Sequence, residues 1–104
     1  MILWHNPRCG TSRKALALLR ARGLDPQLRL YLADPPTLAE LQALNLPPRT
    51  LMRWKDAPDL PRDMADAAIL QHLAENPARI ERPILICRGR AVLGRPAEAV
   101  LGLL

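Results

Sequence analysis

The 104-residue chain contains no phenylalanine, and its aromatic residues are Trp4, Tyr31 and Trp54 alone. A core must therefore be built from Leu, Ile, Val and Ala, and bases would find almost no rings to stack on. Lysine is scarce as well, with Lys14 and Lys55 the only two. The net charge of +5 comes from arginines scattered from Arg8 to Arg95. No dense basic tract forms among them, so no nucleic-acid partner is expected. Arginine suits two-pronged recognition of oxyanions, although a general preference for arginine over lysine gives the same count. No apolar run approaches the roughly 18 residues of a membrane-spanning helix. The opening Met1-Ile2-Leu3-Trp4-His5 lacks the basic segment and apolar stretch of a signal peptide. A cytoplasmic location without a membrane partner is the expectation.

Cysteine is also sparse. Cys9 and Cys87 are too few for a secreted disulfide scaffold of this size. Two cysteines at that separation and two histidines make no metal-ligand pattern, so no metal is expected. What is present is an apolar share of 49 % over a length that allows one core. The chain reads as a single domain, 1–104.

Ile2 to Trp4 reads as a short strand, and His5 to Gly10 as a turn around Pro7. From Thr11, Ala15, Leu16, Leu18 and Leu19 recur at helical spacing, and Gly23 supplies the stop. Leu28, Leu30 and Leu32 alternate with Arg29 and Tyr31, a strand pattern. A helical crossover of this length makes the two strands parallel. Pro35-Pro36 ends the second strand. Thr37 and Glu40 then form a capping box that opens a helix to about Leu44. Pro47-Pro48 starts a shorter helix to about Trp54, and Asp63 to Glu75 carries a third, stopped by Asn76-Pro77. Ile84 to Cys87 reads as a buried strand that turns at Arg88-Gly89 and returns through Ala91 to Leu93. A closing helix follows over Ala97 to Leu104. With the helical block at about 37–76 set aside, βαβ followed by ββα remains, the order of a thioredoxin-like domain.

Cys9 falls just before the first helix, where free amide groups and the helix dipole favour negative charge. A thiol there should be more acidic than usual, and so a nucleophile. Gly10 allows close approach of the backbone to a ligand. Arg13, one turn on, can meet the thiolate or an incoming oxyanion. His5 can order the loop through hydrogen bonds or, if protonated, acidify the thiol. Cys87 ends an apolar strand and reads as a buried hydrophobe. A dithiol redox motif would have a second cysteine at position 12, where Ser12 stands. Cys9 therefore has no local resolving partner, and redox turnover requires an outside thiol such as glutathione.

The run His5-Asn6-Pro7-Arg8-Cys9-Gly10-Thr11-Ser12-Arg13 resembles the His-x3-Cys-x3-Arg signature of the ArsC/Spx family. Leu30-Tyr31-Leu32 with Pro35-Pro36, Arg82-Pro83-Ile84 and Gly94-Arg95-Pro96-Ala97-Glu98 resemble its later motifs, in order. The resemblance implies an α/β, thioredoxin-like fold, with a four-stranded mixed sheet and a helical insertion between the βαβ and ββα halves. It implies arsenate reduction to arsenite, with Cys9 as nucleophile assisted by His5 and Arg13. Gly10, Thr11, Ser12, Arg53, Arg82 and Arg95 would hold the oxyanion. Glutathione would be co-substrate and glutaredoxin the protein partner of a monomer with no bound cofactor. The bond before Pro83 would be cis. Two alternatives stay open: a glutathione-linked thiol oxidoreductase with another substrate, and a Spx-like regulator that binds RNA polymerase. Regulators of that kind carry a Cys-x-x-Cys switch that Ser12 removes.

Overall fold

The computed structural model describes residues 1–104. Strands β1 (Ile2–Trp4), β2 (Gln27–Arg29), β3 (Ile84–Cys87) and β4 (Arg90–Leu93) form one sheet in the order β2-β1-β3-β4. β1 and β2 are parallel and joined through helix α1 (Gly10–Ala21), while β3 runs antiparallel to both β1 and β4. Helices α2 (Leu38–Ala43), α3 (Pro48–Leu51) and α4 (Asp66–Glu75) fall between β2 and β3, and a 3₁₀ helix, Ala97–Leu103, closes the chain. The fold is thioredoxin-like, with these three helices lying between the βαβ and ββα halves. No helix is long and apolar enough to cross a membrane.

Strand alternation divides the core between the two faces of the sheet. Leu3 pairs with Leu85, and Leu85 with Val92. This row packs on Ala15, Leu16 and Leu19 of α1 and on Ala97 and Val100. Ile2 pairs with Ile86 and Trp4 with Ile84 on the opposite face, where they meet Leu41, Leu51, Ile69 and Leu73 of the insertion. Leu3 and Leu85 are fully buried, and burying each contributes about 2 kcal/mol.

Local signals set most of the ends. Gly23 adopts φ +77° past α1, with Gly23 N–H donating to Arg20 O and Leu24 N–H to Leu19 O, a Schellman stop. Thr37 and Glu40 cap α2 reciprocally, as their spacing predicts. Arg88 and Gly89 take positive φ angles in the β3–β4 turn. The bond before Pro83 is cis as expected, and so is the one before Pro96.

Other expectations need correction. β2 stops at Arg29, and the chain folds back in a turn in which Ala33 and Asp34 N–H both donate to Leu30 O. The alternation expected of a strand persists, but its leucines face outward: Leu28, Leu30 and Leu32 are among the most exposed large apolar residues. Tyr31 is the buried member. Arg29 fixes this reversal by donating to Asp34 O, Pro35 O and the Glu40 carboxylate while stacking over Trp4. Paired with Arg29, Glu40 is held down to about 2. The third helix begins at Asp66 rather than Asp63, because Met64 N–H turns back to Pro61 O. The closing helix is 3₁₀ throughout. Cys87 is only partly buried, because β3 ends there at the hairpin.

Gly94 packs where no side chain fits. A Cβ there would lie 2.8 Å from Pro83 Cγ and 2.9 Å from Val100 Cγ1, and Gly94 N–H donates to Pro83 O at 2.8 Å. Gly94→Ala should cost about 1–3 kcal/mol through overpacking, read as a lower Tm in thermal unfolding. An unchanged Tm would mean that Pro83 and Val100 give way freely.

Candidate active site

The site is built on the loop between β1 and α1. His5 N–H donates to Arg29 O at 2.9 Å, extending the β1–β2 ladder by one bond. The chain then turns: Cys9 N–H donates to Asn6 O at 3.0 Å, and Arg8 N–H to Asn6 Oδ1 at 3.0 Å. Cys9 becomes the N-cap of α1 in extended conformation, with no side-chain cap bond of its own. Its partly exposed sulfur thus lies over the unsatisfied amides of the first turn.

Burial pushes the Cys9 thiol up, but Ser12 N–H, the Arg82 guanidinium and Thr11 N–H together outweigh it. The net effect is a thiol more acidic than an ordinary cysteine. The structure thus brings Cys9, the first-turn amides and Arg82 together. Arg13, expected beside the thiolate, instead donates to Pro7 O at 2.9 Å and braces the turn from outside. A Cβ at Gly10 would meet nothing closer than Arg13 Nη2 at 3.8 Å, so the protein itself does not demand glycine there.

His5 and Ser12 face inward. His5 Nδ1 and Ser12 Oγ are 2.7 Å apart, and Asn6 N–H donates to the same hydroxyl at 3.1 Å. Ser12 is fully buried and His5 nearly so. The Ser12 hydroxyl is therefore spent on the loop and is not available to the thiol. Burial, with the charges of Arg20 and Arg13, holds His5 below its ordinary 6.5. His5 is therefore neutral near pH 7, and it orders the loop rather than acidifying Cys9 as a cation. A base depressed on folding binds protons more readily when unfolded. Its contribution to stability is complete above pH 6.5 and is lost as the pH falls below that value. Urea midpoints followed from about pH 8 to about pH 5 should fall more steeply for wild type than for His5→Gln; parallel curves would exclude this linkage.

Two of the three later arginines meet at a residue that sequence reasoning missed, Glu81. Met52 and Ile80 form an antiparallel bridge, with Arg53 N–H donating to Arg79 O and Glu81 N–H to Leu51 O. This bridge places Glu81 between two guanidinium groups. Arg53 Nη1 donates to Glu81 Oε1 at 2.9 Å, and Arg95 Nε lies 3.5 Å from Glu81 Oε2. Arg53 also pairs with Asp56 at 2.7 Å, and Arg95 Nη1 donates to Arg82 O at 3.0 Å. Arg82 has no carboxylate partner: its Nη1 makes long bonds to Ala78 O and Ile80 O, and its buried Nε has none. Arg53 and Arg95 are thus neutralised in the free protein, whereas Arg82 stays available beside the thiol.

No surface cavity encloses Cys9. The grooves lie elsewhere, including one lined by His5, Pro7, Arg13 and Leu16. Cys87 pairs with Arg90 at the far end of β3, beyond the start of β1, whereas Cys9 follows the end of β1. A disulfide needs Cα atoms within about 7 Å, so these two thiols cannot join.

A thioredoxin-like scaffold with one activated thiol at the start of its first helix defines a single-thiol protein of that fold. The chain belongs to the ArsC family, whose family model matches residues 4–103. It is 40 % identical to an arsenate reductase of Neisseria meningitidis, over 94 % of this chain and 92 % of that one. It is 38 % identical to YfgD of Escherichia coli, over 95 % and 92 %. Among solved structures, the arsenate reductase from Vibrio cholerae superposes with a TM-score of 0.87 at 38 % identity, covering 99 % of this chain and 96 % of that one.

Proposed function

We propose that this chain reduces arsenate to arsenite, with Cys9 as nucleophile and glutathione and glutaredoxin as the thiol supply. The observation that carries the reading is Arg82, unpaired with any carboxylate and set beside an acidified Cys9. A thiolate attacking a tetrahedral anion brings two negative groups together, and a fixed cation with amides at the same point offsets that repulsion. Arsenate reductases among the relatives supply the choice of anion. The open surface over Cys9 suits a small anion followed by a second thiol.

In the first step the Cys9 sulfur bonds to arsenic and an arsenate oxygen leaves as water. A glutathione thiolate then bonds to the Cys9 sulfur as the S–As bond breaks. Its electron pair reduces As(V) to As(III), arsenite departs, and Cys9 is left as a mixed disulfide with glutathione. Glutaredoxin or a second glutathione restores the thiol by exchange. The first-turn amides of Thr11 and Ser12, with Gly10, line the path of the anion, and Arg53 and Arg95, paired with Asp56 and Glu81, leave Arg82 as the charge that meets it. This chemistry belongs to a reducing compartment such as the cytoplasm, and a monomer suffices for it.

The test is arsenate-dependent NADPH oxidation coupled through glutaredoxin, glutathione and glutathione reductase. Arsenite formation at a rate proportional to enzyme supports the reading. Absent turnover, with Cys9 still alkylating rapidly at neutral pH, would transfer the site to another thiol substrate.

A further inference from the structure

The first acidic residue in the chain is Asp25, and before it stand Arg8, Arg13, Lys14, Arg20 and Arg22. The loop that carries Cys9 and the whole of α1 therefore bear cations alone. Lys14 pairs with Glu98 at 2.7 Å, and Arg20 Nε lies 3.7 Å from Asp25, a loose and exposed pair of little worth. Arg13 donates to Pro7 O and, like Arg8, pairs with no carboxylate. Cys9, Arg13, Ala17 and Arg20 follow one another at i, i+4, i+8 and i+11, along one face of the helix. Between Arg13 and Arg20 this face forms an open groove over Leu16 and Ala17, flanked by Pro7 of the Cys9 loop. Pro7, Arg13, Ala17 and Arg20 are all exposed. Arg13 joins the groove to the thiol loop: its Nη2 lies 3.8 Å from where a Cβ on Gly10, the residue after Cys9, would stand.

This stripe is too long for a small thiol. It runs about 16 Å from Cys9 to Arg20 at 1.5 Å per residue, whereas a tripeptide such as glutathione spans about 11 Å at full extension. With its sulfur at Cys9, glutathione leaves the Arg20 end of the groove empty. A protein whose thiol reaches Cys9 must lay its own surface along the loop and α1, and the small Ala17 between two guanidinium groups lets that surface come close. We propose that this face of α1 is the docking surface for the protein thiol donor that restores Cys9, and that the donor presents acidic side chains, beside its own thiol, to Arg13 and Arg20. The step it serves is exchange: the donor thiolate attacks the glutathione sulfur of the Cys9 mixed disulfide, Cys9 leaves as thiolate, and the donor carries the glutathione away. Opposite charges steer the encounter and fix its orientation. The inference rests on the reading that glutaredoxin supplies thiol to this site, and it names the surface that glutaredoxin meets.

The reaction to follow is removal of glutathione from Cys9 in protein first treated with glutathione disulfide. The mass of the Cys9 peptide is the readout, and either glutaredoxin or glutathione is the reductant. No arsenate is present, so the docking face is tested apart from the choice of anion. Arg20→Glu reverses one charge in the groove, and Arg90→Glu, at the β3–β4 hairpin, makes the same change in net charge elsewhere. The expected result is a rate with glutaredoxin about tenfold lower in Arg20→Glu at low ionic strength. Arg20→Gln should lose less, and the difference from wild type should close as salt is added. Resolution by glutathione should change much less, and alkylation of free Cys9 by iodoacetamide should not change. Equal slowing in Arg20→Glu and Arg90→Glu would assign the effect to net charge and overturn the proposal. So would equal slowing with both reductants, since Arg20 would then act on the thiol rather than on a protein, or no slowing at all. Wild type that glutaredoxin resolves no faster than glutathione would overturn the docking face and leave arsenate reduction standing on glutathione alone. Absent arsenate turnover with the charge effect intact would remove the arsenate reading and support this surface.

Discussion

Cys9→Ser leaves arsenate turnover below about one-thousandth of wild type, the scale of loss when a nucleophile is removed, while Tm stays level or rises slightly. The two effects have separate origins. Activity falls because a serine hydroxyl does not ionise near neutral pH, and the amides and the guanidinium that acidify the thiol cannot close so wide a gap. Stability holds because Cys9 is the N-cap of α1 and makes no side-chain cap bond, whereas serine is a favoured N-cap whose oxygen accepts from the first turn. The coupled assay and a thermal melt of the same preparation check both halves. Residual activity above about a tenth of wild type would sink the covalent mechanism, given the scale expected for a nucleophile.

Arg82→Ala produces the second large effect. Each donor that meets developing charge in an oxyanion site is worth about 10²–10³ in rate, and Arg82 adds to that the acidity of Cys9. Without the guanidinium the thiol titrates at higher pH. The inflection in the alkylation profile moves up, and alkylation at neutral pH slows. Arg82→Lys keeps the charge but not the planar fork, so it should restore much of the thiol acidity and less of the turnover. An alkylation profile that stays in place in Arg82→Ala would show that the amides of Thr11 and Ser12 acidify Cys9 unaided.

Much of the scaffold was legible because its signals are local. Gly23, the Thr37–Glu40 box and Arg88-Gly89 each act within a few residues, and each ends or turns the chain as read. Cys9 was legible for the same reason, since a turn, a glycine and a helix start coincide there. The surroundings of the thiol were not. Arg53 and Glu81 are 28 positions apart, and only the small bridge between Met52 and Ile80 makes them neighbours. No short-range pattern says that Glu81 neutralises two of the three later arginines and leaves the third free. The His-x3-Cys-x3-Arg spacing placed His5 and Arg13 near the thiol, but spacing does not reveal which way a side chain faces. His5 turns inward to Ser12, and Arg13 to Pro7. Tyr31 was hidden by an alternation with two possible senses: the leucines, not the tyrosine, are the residues left in water.

The opposite placement of Cys9 and Cys87 on the sheet sets the electron count of the chain. One molecule offers one usable thiol, and arsenate needs two electrons. Pure enzyme mixed with arsenate alone therefore cannot complete the reduction within one molecule: it stops at the arsenic–sulfur adduct until a second molecule's thiol or an added thiol attacks the Cys9 sulfur. Standing in air has a parallel outcome: oxidised protein can close no internal disulfide loop, so it accumulates as sulfur-linked pairs or as adducts with small thiols. Cys87→Ala would limit the pairs to those joined through Cys9.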